Sequence, residues 1–343
     1  MLQTNLLAPG HADLVTHVVY DFYGERIATC SADQRIKIFR RSNEGLWEPE
    51  ADWKAHDAAI LHLSFSHPLH GSLLASCSHD RTVRIWEEGP RSHGTKEGRW
   101  IERAVLGGAK GSVRVLEFSP PNPSFGLRLA AISTDSRLRV YTSLDPSLND
   151  WSTAHDIHLP SLASPYAGQE ETRINENATV EISTGGWGLS WCKEKFWGSL
   201  LAAFSGTSPT VKIIVLDPAP TALLHLTTPA PASPLTCVAW ANSCGRSYHL
   251  VATGSRDGRV IIWKVEPPDP EERGRGEWKG EIVADFGKGP RIGTVDWNAT
   301  GTTLTVSDDD GMIRVYKPTY SRDWKLMGQM TAEEPPPMDD RGH

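Results

Sequence analysis

A seven-residue phrase recurs along this chain, and the recurrence constrains the fold more than any other feature. It begins with an acid, passes two variable positions, and ends aliphatic-x-aliphatic-aromatic. The copies are DQRIKIF from Asp33, DRTVRIW from Asp80, DSRLRVY from Asp135, DGRVIIW from Asp257 and DGMIRVY from Asp310. A degenerate copy, SPTVKII, runs from Ser208 to Ile214. Alternating apolar and polar residues over this length make a half-buried β-strand. The leading acid suits a tight turn, because its carboxylate can accept hydrogen bonds from nearby main chain. One copy would be a strand; six copies are an architecture.

Each copy is preceded by an aliphatic-x-aromatic element: VVY ending at Tyr20, LSF at Phe65, LEF at Phe118, LSW at Trp191, VAW at Trp240 and VDW at Trp297. The two markers lie 19, 21, 23, 23, 23 and 19 residues apart. Between them runs a segment rich in small residues: IATCS, LLASCS, LAAIS, LLAAFS, LVATGS and LTVS. A further strand follows, often with a tryptophan, as in LWEPEADW, RWIERAVL, DWSTAHDI, EWKGEIVADF and RDWKLMGQM, or TALLHL after the degenerate copy. Every repeat is thus four short antiparallel strands, and such sheets bury both faces only by stacking radially. The prediction is an all-β chain, a β-propeller over residues 1–330. Its repeats fall near 11–55, 56–108, 109–160, 185–228, 233–286 and 287–330, with an insertion at 142–186 and a disordered tail at 331–343.

Composition narrows the function. Hydrophobic residues make up 39% and charged residues 22% of the 343 positions, enough for a sizeable core. A net charge of −7 argues against nucleic acid as the main ligand. No apolar run reaches the length of a membrane span, and the leucines of MLQTNLLAPG lack the basic and apolar regions of a signal peptide. An intracellular location follows as an expectation. The five cysteines contain no CxxC, and Cys30 and Cys77 share one repeat position, so buried free thiols are expected.

The strand count leaves a remainder. Six repeats with four strands each are complete once WKLMGQM is used, and residues 2–8, LQTNLLA, are then surplus. One reading lets residues 2–8 finish the sixth blade and makes 322–330 a tail. The other is an open six-bladed ring whose spare N-terminal strand begins a seventh blade, with three strands supplied by another protein. The count favours the open ring. Unpaired edges and an uncovered blade face would then demand a permanent partner.

These repeats resemble the WD-repeat family over nearly the whole chain. That family's His–Ser–Asp–Trp network is matched by His56, Asp80 and Trp86 in the second copy. The first copy keeps His11 and Asp33 with Phe39 in place of tryptophan, and the remaining copies lack the histidine. The order of blocks narrows the resemblance. APGHADLVTHVVYDFYGERIATCSADQRIKIF, ILHLSFSHPLHGSLLASCSHDRTVRIWEE, GRSYHLVATGSRDGRVIIW and VDWNATGTTLTVSDDDGMIRVYKPTYSRDWKLMG are similar to the Seh-type nucleoporins, homologues of the Sec-thirteen coat protein. The resemblance implies an open propeller into which a helical scaffold nucleoporin inserts a blade in trans. It implies membership of the Y-shaped coat of the nuclear pore complex at the nuclear envelope, among other Y-complex nucleoporins. It further implies a place in an amino-acid-signalling assembly at the vacuolar or lysosomal membrane surface. A vesicle-coat paralogue and a peptide-reading adaptor are the alternatives.

Catalytic readings fare poorly. Asp308, Asp309 and Asp310 are adjacent, but neighbours on a strand point to opposite faces. His155 and His158 lack a further ligand at a metal-site spacing. Ser78, His79 and Asp80 sit in one turn and cannot converge as a triad. GKGPRIG at 287–293 lacks the helix start of a phosphate cradle, and RGRG at 273–276 reads as a solvated loop. Of the Ser-Pro pairs at Ser119, Ser164, Ser208 and Ser233, Ser164 in the long insertion is the best candidate for phosphorylation. The expectation is therefore a non-enzymatic scaffold with no catalytic, metal or cofactor residues, no direct nucleic-acid contact and no membrane insertion. Leu2, Leu6 and Leu7 are the candidates for the spare strand. Val18, Ile36, Val295 and Ile313 are expected to support the incoming blade, and Asp33, Asp80, Asp135, Asp257 and Asp310 to hold the repeat turns.

Overall fold

The computed structural model describes the residues outside 1–6, 8, 90–98, 123–124, 144, 146, 163–184, 195–196, 198, 269–276 and 332–343. Leu2, Leu6, most of the 142–186 insertion with Ser164, the RGRG loop and nearly all of the tail therefore lie outside the described residues. What remains is all-β, with two single-turn 3-10 segments and no α-helix among the described residues.

The chain forms six four-stranded antiparallel sheets in sequence order, a six-bladed β-propeller. Sheet one is β1 (Val15–Tyr20), β2 (Arg26–Ser31), β3 (Arg35–Arg41) and β4 (Trp47–Lys54); sheet two is β5 (Ile60–Phe65), β6 (Leu73–Ser78), β7 (Val83–Glu88) and β8 (Trp100–Leu106). Sheet three comprises β9 (Val113–Phe118), β10 (Arg128–Ser133), β11 (Arg137–Ser143) and β12 (Trp151–His158). Sheet four comprises β13 (Gly186–Trp191), β14 (Leu200–Gly206), β15 (Thr210–Val215) and β16 (Thr221–Thr227). Then come β17 (Leu235–Trp240), β18 (His249–Ser255), β19 (Val260–Glu266) and β20 (Lys279–Asp285) of sheet five. Sheet six closes with β21 (Ile292–Trp297), β22 (Leu304–Asp308), β23 (Met312–Pro318) and β24 (Trp324–Thr331). Because β24 pairs along β23, sheet six takes its fourth strand from its own repeat.

The first strands of successive sheets pack against one another, so they line the ring's axis. The second strands carry the small residues: Ala28, Ala75, Ala130 and Ala252 are fully buried where the wedges are narrowest. The apolar core consists of five clusters, each spanning two consecutive sheets. No cluster among the described residues spans sheets six and one.

The turn acids hold the hairpins between second and third strands. Asp33, Asp80 and Asp135 accept the N–H of Arg35, Thr82 and Arg137 at 3.0, 2.9 and 3.1 Å, and Asp257 accepts the Ser255 hydroxyl at 2.6 Å. The residue after each acid takes the left-handed conformation: Gln34, Arg81, Ser136 and Gly258 have φ of 72, 70, 57 and 79°. The sixth turn departs from the expectation. There Asp308, not Asp310, accepts the N–H of both Asp310 and Met312, at 3.1 and 2.9 Å. In the first two repeats a serine two residues earlier (Ser31, Ser78) takes the N–H of the acid. An aspartate at that place reaches far enough to do both tasks, and Arg314 pins its other oxygen at 2.8 Å.

The second repeat carries a complete polar relay. The Trp86 indole donates to Ser76 Oγ at 2.9 Å, Ser76 donates to His56 Nε2 at 2.8 Å, and His56 Nδ1 donates to Asp80 at 2.8 Å. Burial opposes the charged form of Asp80, but the His56 and Thr82 hydrogen bonds prevail and hold its carboxyl far below the usual range. In sheet one His11 bridges Asp33 and Thr29, both at 2.9 Å, and Phe39 leaves the relay without its indole. Sheet three substitutes an arginine: Arg139 reaches Asp135 at 2.8 Å and Ser133 at 2.7 Å. All five cysteines are free. Cys30, Cys77 and Cys192 are buried, Cys237 is half-buried and Cys244 is exposed.

Candidate functional site

In a stacked ring every sheet has a front face covered by its predecessor and a rear face covered by its successor. The six repeats make that coverage measurable, because equivalent residues can be compared. The residues three and five past the turn position point to the rear. They are Ile36 and Ile38, Val83 and Ile85, Leu138 and Val140, Val211 and Ile213, Val260 and Ile262, all at most 2% exposed. Their counterparts in sheet six, Ile313 and Val315, are only half-buried.

The front face tells the same story at the other end. Two residues before the inner-strand aromatic stand Leu63, Leu116, Leu189 and Val295, all buried, and Val238, packed against the core of sheets four and five. The sheet-one counterpart, Val18, is 49% exposed. Tyr20, on the same face, is 58% exposed and meets Trp47 edge-on at 6.0 Å. The segment before β1 covers part of this front: His11 sits between Asp33 and Thr29, and Lys37 donates to the Gly10 carbonyl at 2.6 Å. Leu7 is half-buried and outside any strand.

The residues named from the sequence therefore divide. Val18 and Ile313 lie on the two incompletely covered faces. Ile36 does not: it points rearward into the cluster shared with sheet two. Val295 points forward into the cluster shared with sheet five. Both are turned away by the two-residue periodicity of their strands, which sequence alone could not phase against the ring. The structure adds Tyr20 on the sheet-one front and Val315 on the sheet-six rear. Both stand inside the repeat motifs, where alignment of the copies could have found them.

No group of three or more His, Cys, Asp or Glu among the described residues is placed to hold a metal ion. A surface cavity of about 320 Å³ between sheets one and two is lined by Phe22, Tyr23, Arg26, Arg40, Phe65 and Glu88 among others. Its arginines are engaged: Arg26 bonds Glu88 at 2.6 and 2.8 Å and Glu50 at 2.9 Å, and Arg40 pairs with Glu50 at 3.3 Å.

Comparison with known proteins agrees with the repeats. The family model described as WD domain, G-beta repeat matches residues 3–40, 47–87, 224–264 and 280–317. Nucleoporin SEH1 of Saccharomyces cerevisiae is 32% identical, covering 95% of this chain and 98% of its own. Nucleoporin SEH1 of Bos taurus and of Homo sapiens are each 30% identical, covering 98% of this chain and 90% of theirs. Four-stranded repeats in unbroken order, a core built between consecutive sheets and similarity along nearly the full length converge on one assignment: the chain belongs to the SEH1 nucleoporin family of WD-repeat proteins.

Proposed function

We propose that this protein is a non-catalytic scaffold subunit of the nuclear pore complex, and that its ring is open between sheets six and one. A helical scaffold nucleoporin fills the opening with a blade in trans, and the assembled unit serves nucleocytoplasmic transport within the Y-shaped coat. The observation that carries this reading is the unequal coverage of equivalent residues. Val18 is exposed, and Ile313 and Val315 are half-buried, where no described sheet stands before sheet one or behind sheet six. Two incompletely covered blade faces call for a sheet, and an inserted blade buries an obligate-type interface of about 2,000 Å² or more. Leu2, Leu6 and Leu7 are assigned to the strand this chain contributes to that blade. Membership of the SEH1 nucleoporin family supports the location at the pore and a partner among its subunits.

The test is affinity purification of the tagged chain from cells that make it, with stoichiometry measured by quantitative mass spectrometry. One helical nucleoporin should be recovered in equimolar amount, and be lost from Val18→Asp and Ile313→Asp variants that still fold. Retention of the partner by both variants would overturn blade completion. An equimolar vesicle-coat subunit instead would redirect the cellular role, and an equimolar amino-acid-signalling component would place the chain at the vacuolar membrane too.

A further inference from the structure

The middle position of each aliphatic-x-aromatic motif has a job that only the folded ring reveals. Register places these residues, Val19, Ser64, Glu117, Ser190, Ala239 and Asp296, opposite Ala28, Ala75, Ala130, Ala202, Ala252 and Thr305. All therefore stand on the rear of their inner strands, facing the next sheet. Three of them reach across. Ser64 Oγ accepts the main-chain N–H of Phe118 at 3.1 Å, Glu117 Oε2 that of Trp191 at 2.9 Å, and Ser190 Oγ that of Trp240 at 3.1 Å. In each case the donor is the aromatic residue that ends the next sheet's inner strand. Where the position holds an acceptor and a following sheet exists, the bond is made. Val19 and Ala239 have no side-chain acceptor to offer.

Glu117 does more. Its second oxygen pairs with Lys193, two residues beyond Trp191, so one carboxylate fixes both the end of the neighbouring strand and the basic residue after it. The Trp191 indole also donates to the Glu117 carbonyl at 2.9 Å.

Asp296 is the same position in the last sheet. Among the described residues its carboxylate has neither a hydrogen-bond partner nor an ion-pair partner. Water reaches it, yet the surrounding protein and then the charge of Glu117 raise its carboxyl to about 6, against a smaller opposing pull from Lys193. In Glu117 the same position shows what an acid there can engage.

We propose that Asp296 is a recognition residue for the incoming blade: its carboxylate accepts the main-chain N–H that ends that blade's inner strand and pairs with a lysine or arginine two residues beyond. This rests on the open-ring reading and specifies the chemistry of its partner. The bond sets how far the incoming strand slides along β21, because a one-residue slip turns the donor away. The basic side chain explains why an acid, rather than the serine of sheets two and four, occupies the last sheet.

The test uses the stoichiometric partner recovered with the wild-type chain, purified and labelled, and measures dissociation rates from wild-type and variant chains. Asp296→Ala should speed dissociation at least about tenfold, as expected for loss of a charge-assisted hydrogen bond and an ion pair. Asp296→Glu should stay within about twofold of wild type, since Glu117 performs both tasks. Asp296→Ser should fall between, and its complex should depend less on salt, because serine keeps only the N–H acceptor. An Asp296→Ala complex that dissociates at the wild-type rate overturns the assignment, and so does failure to recover any equimolar partner. Val18→Asp and Ile313→Asp separate the two levels. If they abolish binding while Asp296→Ala is neutral, blade completion stands and only the recognition role falls.

Discussion

Val140 and Val315 occupy the same place in their repeats, five residues past the turn position, and they differ in what lies behind them. Val140 is fully buried between sheets three and four, whereas Val315 is half-buried on the rear of sheet six. Replacing either by alanine removes two methyl groups. At about 0.8 kcal/mol per buried carbon plus the residual cavity, Val140→Ala should destabilise the isolated protein by about 2–3 kcal/mol. For Val315→Ala, solvent already touches the side chain and no closed cavity forms, so the loss should stay below about 1 kcal/mol. Urea unfolding of the two variants alongside wild type measures the difference directly. In the equimolar complex the asymmetry should shrink, because the inserted blade would enclose Val315 as sheet four encloses Val140. Equal losses in the isolated chain would mean that something already covers the rear of sheet six, and the open ring would be refuted.

Two further outcomes follow from the hairpins. Asp80 has a depressed carboxyl, so its stabilisation is fully present above the unfolded value near 4 and is lost as pH falls through the folded one. His56→Ala, which breaks the relay, should cost about 2–3 kcal/mol at pH 7, and the gap to wild type should narrow as pH falls below about 4; a constant gap would count against the relay. Gly258 and Gly311 share a left-handed turn position, with φ of 79 and 76°. A Cβ on Gly258 would lie 2.1 Å from the Gly289 main chain, while one on Gly311 would meet nothing within 4 Å. Gly311→Ala should cost about 1 kcal/mol and Gly258→Ala well over 2, read as shifts in the urea midpoint.

Much of this was legible in the letters because a strand's pattern has a period of two and a turn needs particular residues. The six marker pairs, five of them aromatic at both ends and one ending at Ile214, located every inner strand and every third strand. The fourth strand of sheet six was readable as WKLMGQM. What the letters did not give was phase. Ile36 and Ile313 hold the same position in the phrase, yet one is sealed by a successor and the other is not. Val18 and Val295 likewise hold one position, and only Val295 has a predecessor to cover it. Asp310 looks like its fellow turn acids, but Asp308, one carboxylate serving two main-chain donors, does the work in that hairpin.

The sequence by itself determined a ring of six four-stranded sheets, because repeated alternation leaves each wedge two apolar faces that only stacking can bury. Where the stacking stops was decided in three dimensions. Coverage is a relation between neighbours, so identical motifs become core in the middle of the series and stay incompletely covered at its ends. Asp296 shows this most sharply: in sequence it is the middle letter of VDW, and in the ring it stands on the rear of sheet six with no hydrogen-bond or ion-pair partner among the described residues.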